Sequence, residues 1–102
     1  MSDEYQKLLH DCISGQSFGW ENFVDKFLPH VSRVAEFSIA ENGQDAENQE
    51  LRHQLIADIF ERFSANDFQD LREFDNNSEL PTYIAVMAQR HATDLLASKN
   101  GS

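Results

Sequence analysis

The sequence predicts an all-α fold, a bundle of four main helices, and three observations carry that expectation. Apolar residues recur at three- and four-residue steps in four separate stretches, the period that lines one face of a helix. Helix breakers fall between the stretches: Gly15, Asn42-Gly43, Ala65-Asn66-Asp67 and Asp75-Asn76-Asn77. No strand-like alternation and no internal repeat interrupts the pattern. With 102 residues, the chain has room for a single core, so residues 1–102 are expected to fold as one domain.

The first helix starts at Ser2-Asp3-Glu4, and Tyr5, Leu8, Leu9, Cys12 and Ile13 form its apolar face before Gly15 ends it. Ser17 is the candidate cap of the second helix, which begins near Phe18. That helix carries Trp20, Phe23, Val24, Phe27, Val31, Val34, Ala35 and Ile39 on one broad face. Pro29 lies inside it and lacks the amide that would bond to Asp25, so a kink is expected. The apolar spacing stays in phase on both sides of Pro29, which favours one kinked helix over two.

Gln44 to Gln54 is the most polar stretch and is expected to be exposed in its early part. From Leu51, the spacing of Leu55, Ile56, Ile59, Phe60 and Phe63 predicts a third helix to about Ser64, ended by Ala65-Asn66-Asp67. Phe68, Leu71 and Phe74 are spaced as a short helical turn, followed by the loop Asp75-Asn76-Asn77. In the last helix Ser78 is the candidate cap, Glu79 suits the positive end of the dipole, and Pro81 fits a first turn. Its expected inner stripe is Leu80, Ile84, Met87, Ala88, His91 and Leu95, and its end is near Asn100-Gly101. Phe23, Phe27, Ile59, Phe60, Ile84 and Met87 should share one core.

A hydrophobic content of 40% with a mean hydropathy of −0.56 describes a soluble globular protein. No apolar run approaches the ~20 residues that span a bilayer, and Met1 to Gln6 do not resemble an export signal. The expected location is the cytoplasm, with no membrane partner. The single Cys12 cannot form an internal disulfide and reads as a small buried hydrophobe. Eight Lys and Arg against eighteen Asp and Glu give a net charge of −10, which repels a phosphate backbone. From Ser78 onward the only cations are Arg90 and Lys99, set against Glu79 and Asp94.

His10, His30, His53 and His91 are too scattered for a zinc cluster, and His91 reads as a satisfied core or border histidine. The pairs Asp58 with Glu61 and Asp67 with Asp70 lie one helical turn apart and read as solvated faces. There is no Gly-rich phosphate loop and no nucleophile in a recognisable setting, so neither an enzyme nor a cofactor is expected.

The second half contains Asp58-Ile59-Phe60-Glu61-Arg62-Phe63, then Phe74, Ser78, Leu80, Thr82, Tyr83, Ile84, Ala88, Arg90, Ala92, Asp94, Leu95 and Leu96. It resembles region two of extracytoplasmic-function (ECF) sigma factors, with the patterns D-L-V-Q-E-V-F-L-R-L-W and F-x-x-x-S-x-L-x-T-W-L-x-x-I-A-R-N-x-x-x-D-x-L-R. Trp20-Glu21-Asn22-Phe23-Val24-Asp25-Lys26-Phe27-Leu28-Pro29-His30-Val31 is similar to the family's A-F-x-x-L-Y-x-x-Y-x-P-x-V, its internal proline included.

The resemblance implies a helical domain that binds the clamp coiled coil of RNA polymerase and melts the promoter minus-ten element. It assigns polymerase docking to Gln54, Asp58, Glu61 and Arg62, and DNA contact to Asn76, Asn77, Tyr83 and Arg90. The family's clamp-binding D-x-x-Q falls on Gln54 and Ala57, with the adjacent acid kept as Asp58. Its basic positions fall on Pro81, Val86, Gln89 and Ala97, its A-R-N asparagine on Arg90 and its Trp on Tyr83. The segment before Phe74 is about three residues longer than the family's pattern. Region four, the family's helix-turn-helix module, has no room in these residues, as expected of a fragment or of a protein lacking it. Two functions follow: a transcription-initiation domain docking on polymerase with weak or no autonomous promoter binding, or an interaction module that has lost DNA contact. The second would act as a decoy or adaptor for polymerase or an anti-sigma factor.

Overall fold

The computed structural model describes residues 3–45, 47–74 and 79–100. Among the described residues there are four helices and no strand: α1 (Asp3–Ile13), α2 (Ser17–Glu41), α3 (Gln49–Arg72) and α4 (Leu80–Asn100). The fold class is therefore the one expected. Both glycine stops work in the same way. Gly15 (φ +84°) and Gly43 (φ +76°) take the left-handed conformation after α1 and α2. Paired bonds then close each end: Gly15 N–H to Cys12 O with Gln16 N–H to Asp11 O, and Gly43 N–H to Ala40 O with Gln44 N–H to Ile39 O.

Two helix starts differ from expectation. Gln16, not Ser17, holds the cap position of α2, and its side chain makes no capping bond. The reason is the short connection: Gln16 donates its amide to the end of α1 while its carbonyl accepts from Gly19 N–H, so Ser17 is already helical. Helix α3 starts at Gln49 rather than Leu51 because Asn48 Oδ1 accepts from Leu51 N–H at 3.1 Å. Helix α2 continues through Pro29, whose exposed ring leaves the missing amide on the solvent side. The expected cap Ser78 and loop Asp75-Asn76-Asn77 lie outside the described residues.

The break after Ser64 falls where expected and has an unusual form. Ala65 is extended, and Asn66, Asp67 and Phe68 all have positive φ (55°, 58° and 61°), a left-handed turn joining two right-handed helical runs of α3. Asn and Asp tolerate this region, whereas Phe68 adopts it at a cost of about 1–2 kcal/mol. Packing of the Phe68 ring on Trp20, with centroids 5.6 Å apart, offsets that cost. Arg72 fastens the turn: Nε donates to Asp67 O at 2.7 Å, and Nη2 donates to Asp67 Oδ2 at 3.1 Å.

Phe23, Phe27, Ile59, Phe60 and Ile84 are buried in one core, with Met87 half-buried against it. The inner row of α4 is a correction. It is Leu80, Ile84, Ala88, Ala92 and Leu96, while Met87, His91 and Leu95 flank it half-buried. This is a strict four-residue ridge, matching Phe23, Phe27, Val31, Ala35 and Ile39 of α2, the helix on which α4 chiefly packs. The alanines let the two ridges approach.

At the α1–α2 corner, the Cys12 thiol donates to Gly19 O at 3.1 Å. A Cβ on Gly19 would lie 2.6 Å from the Asp11 carbonyl carbon, inside any permitted contact. Helix propensity favours Gly19→Ala, but the clash with backbone reverses the sign. Urea melts should show a loss of about 3 kcal/mol for Gly19→Ala. Asn66→Gly should change stability by less than about 0.5 kcal/mol in the same melts, because Asn already tolerates the left-handed region and Gly adds unfolded-state entropy.

Candidate functional site

Four of the residues assigned to partner binding lie on successive turns of α3. Gln54 and Glu61 are exposed, Asp58 and Arg62 half-buried. Gln54 Nε2 donates to Asp58 Oδ1 at 3.1 Å along the helix. Arg62 Nη1 donates to Asp94 Oδ2 at 2.7 Å, tying this row to α4. The structure thus brings Gln54, Asp58, Glu61 and Arg62 onto one face, with Glu61 making no ion pair among the described residues.

Beside this row, α2 and α3 enclose an open groove of about 410 Å3. Its apolar lining is Val24, Leu28, Ile56, Ala57 and Phe60, with Glu36, Arg52 and His53 toward the C-terminal end of α2. Leu28 is 41% exposed although large and apolar. It lies off the phase of Phe27 and Val31, so periodicity does not mark it. Its only local signal is the resemblance segment that contains it.

The residues assigned to DNA divide differently. Asn76 and Asn77 lie outside the described residues. Arg90 is exposed. Tyr83 is half-buried, its ring centroid 5.0 Å from that of Phe74, and its hydroxyl donates to Asp70 O at 2.6 Å. Arg62 and Arg90 line a common open depression of about 720 Å3 between α3 and α4, together with Val86, Met87, His91 and Asp94.

Asp70, expected on a solvated face, is instead an anchor. Its side chain is only 18% exposed, and Oδ2 accepts from His91 Nε2 at 2.7 Å. The Phe63 ring meets His91 edge-on at 5.4 Å, so the histidine is a satisfied border residue, as its place on the stripe suggested. No sequence signal marks the Asp70–His91 pair, because the partners are 21 residues apart. Asp67 does fit the solvated reading: its side chain is 80% exposed beside Arg72.

Cys12 is fully buried, and burial, assisted by the neighbouring Asp11 charge, pushes its thiol up to about 11. It is protonated at neutral pH and is a packing residue rather than a nucleophile. Glu50 and His53 form a Glu-x-x-His pair on α3, yet no group of three His, Cys, Asp or Glu suited to a metal occurs among the described residues. No helix among them is long and apolar enough to cross a membrane. Comparison with known protein families, curated proteins and solved structures gave no match.

The geometry gives Tyr83 a tie to the segment after the left-handed turn. Tyr83→Phe keeps the ring contact with Phe74 and removes the bond to Asp70 O. It should cost about 1 kcal/mol in a urea melt. A cost near zero would mean that water serves the carbonyl equally well.

Proposed function

We propose that this chain is a region-two-like domain of the ECF sigma factor type that acts in transcription initiation by docking on the RNA polymerase clamp coiled coil. Gln54, Asp58, Glu61 and Arg62 meet the clamp, and the domain has weak or no autonomous promoter binding. The observation that carries this reading is the α3 row lying beside the apolar groove at Leu28, Ile56 and Phe60. A helical partner can place apolar side chains in the groove and basic ones against Asp58 and Glu61.

Two features support weak DNA binding. The family's basic positions fall on Pro81, Val86, Gln89 and Ala97, and the net charge is −10. Flipped bases stacking on Tyr83 would gain roughly 1–3 kcal/mol each, but only a cationic groove could hold the strand while they do so. One or two such bases give an affinity of about millimolar once association entropy is counted. The same charge favours a second reading, a sigma-like decoy or adaptor for polymerase or an anti-sigma factor.

A pull-down on immobilised clamp coiled coil should retain the chain and lose it with Asp58→Arg and Glu61→Arg. Binding that ignores both substitutions overturns the assignment. Fluorescence anisotropy with a labelled minus-ten single strand should show no binding at physiological salt. Micromolar binding that weakens steeply with salt would instead restore a full promoter-melting role. Adding the chain to core polymerase separates the two readings: an initiation domain supports transcripts, whereas a decoy reduces those made by another sigma factor.

A further inference from the structure

We infer that the outward face of α4 is the contact between two copies of this chain, paired antiparallel about a two-fold axis. The inference goes beyond the polymerase reading and stands without it. Helices α1, α2 and α3 each carry two more acids than bases, whereas α4 has Arg90 and Lys99 against Asp94 alone. Between two copies at −10 each, α4 is the helix without an acidic excess, and it carries both an exposed base, Arg90, and an exposed acid, Asp94, that can pair across the contact.

The outward face of α4 is also self-complementary. Val86, Arg90, Thr93 and Ala97 lie exposed along one side of α4, and Val86 is 45% exposed despite being apolar. An antiparallel register centred between residues 91 and 92 sets Val86 against the second copy's Ala97. The same register sets Arg90 against the second copy's Thr93 and Asp94, and symmetry repeats each contact. Arg90 makes no ion pair among the described residues. Asp94 uses Oδ2 for Arg62, leaving Oδ1 to accept from the second copy's Arg90. The short side chains of Thr93 and Ala97 let the axes approach to about 8–10 Å. One helix pair buries less than the roughly 1,600 Å2 of a standard interface, so the dimer is reversible.

Sedimentation equilibrium up to about millimolar protein tests this. The weight-average mass should rise with concentration from 11.7 kDa toward twice that value and stop there. Val86→Glu and Arg90→Glu should each hold it at the monomer, with helicity by circular dichroism unchanged because both side chains are exposed. Leu28→Glu, on the far groove, should leave dimerisation intact. A monomer at all concentrations, or a Val86→Glu variant that dimerises like the parent, overturns the proposal. So does a mass that climbs past the dimer, which would mark a head-to-tail contact between α4 and an acidic face.

Discussion

Phe23 occupies the middle of a ring network that reaches every helix. Its ring centroid lies 5.4 Å from Trp20, 5.0 Å from Phe27, 6.3 Å from Phe60 and 5.9 Å from Phe63. From these rings the network extends to Tyr5 on α1 through Phe27, to His91 on α4 through Phe63, and to Phe68 beyond the break through Trp20. Such pairs add directional attraction to apolar burial, so they fix how the helices face one another as well as how much surface they bury. The outer row of α3 depends on this arrangement. With Phe60 and Phe63 locked inward, Gln54, Asp58, Glu61 and Arg62 must point outward.

Most of this architecture could be read from periodicity. Tyr5 to Ile13, Phe23 to Ile39 and Leu55 to Phe63 fall on the faces their spacing implies, and the stops at Gly15, Asn42-Gly43 and Ala65-Asn66-Asp67 hold. The misses have physical causes. On α4, mixed three- and four-residue steps from Leu80 lead to Met87, His91 and Leu95 and pass over Ala92 and Leu96. Ridge packing on α2 instead rewards small side chains in a four-residue row. At Ser17, cap preference lost to the tight connection from α1. Asp70 was hidden because its partner His91 belongs to another helix. The candidate site was legible only in part: the α3 row came from the resemblance, whereas the groove at Leu28 needs two helices side by side and has no signature within one.

The segment after the left-handed turn shows how polar ties complete what rings begin. Leu71 buries its side chain, and Asp70 holds α4 through both its carboxylate and its carbonyl. Arg72 closes the turn through Asp67 and also reaches Ile13 O at 3.5 Å, at the C-terminal end of α1. These bonds are individually modest, but the half-buried Asp70–His91 pair would leave a poorly solvated polar group if either partner were lost. A strained left-handed turn persists because its surroundings over-determine it.

On the proposed region-two reading, the scaffold and the charge favour different parts of the role: docking on polymerase rather than holding DNA. The α3 row lies beside an open groove with an apolar lining, while cations are few, eight Lys and Arg against eighteen Asp and Glu. On the proposed reading the polymerase-docking surface is the α3 row, distinct from the α4 face inferred to pair two copies. Amide chemical-shift mapping by NMR, with unlabelled clamp coiled coil titrated into the labelled chain, tests that assignment most directly. The shifts should concentrate on Gln54, Asp58, Glu61, Arg62 and the neighbouring Leu28. Shifts centred on Tyr83 and Arg90, with the α3 row unmoved, would contradict it.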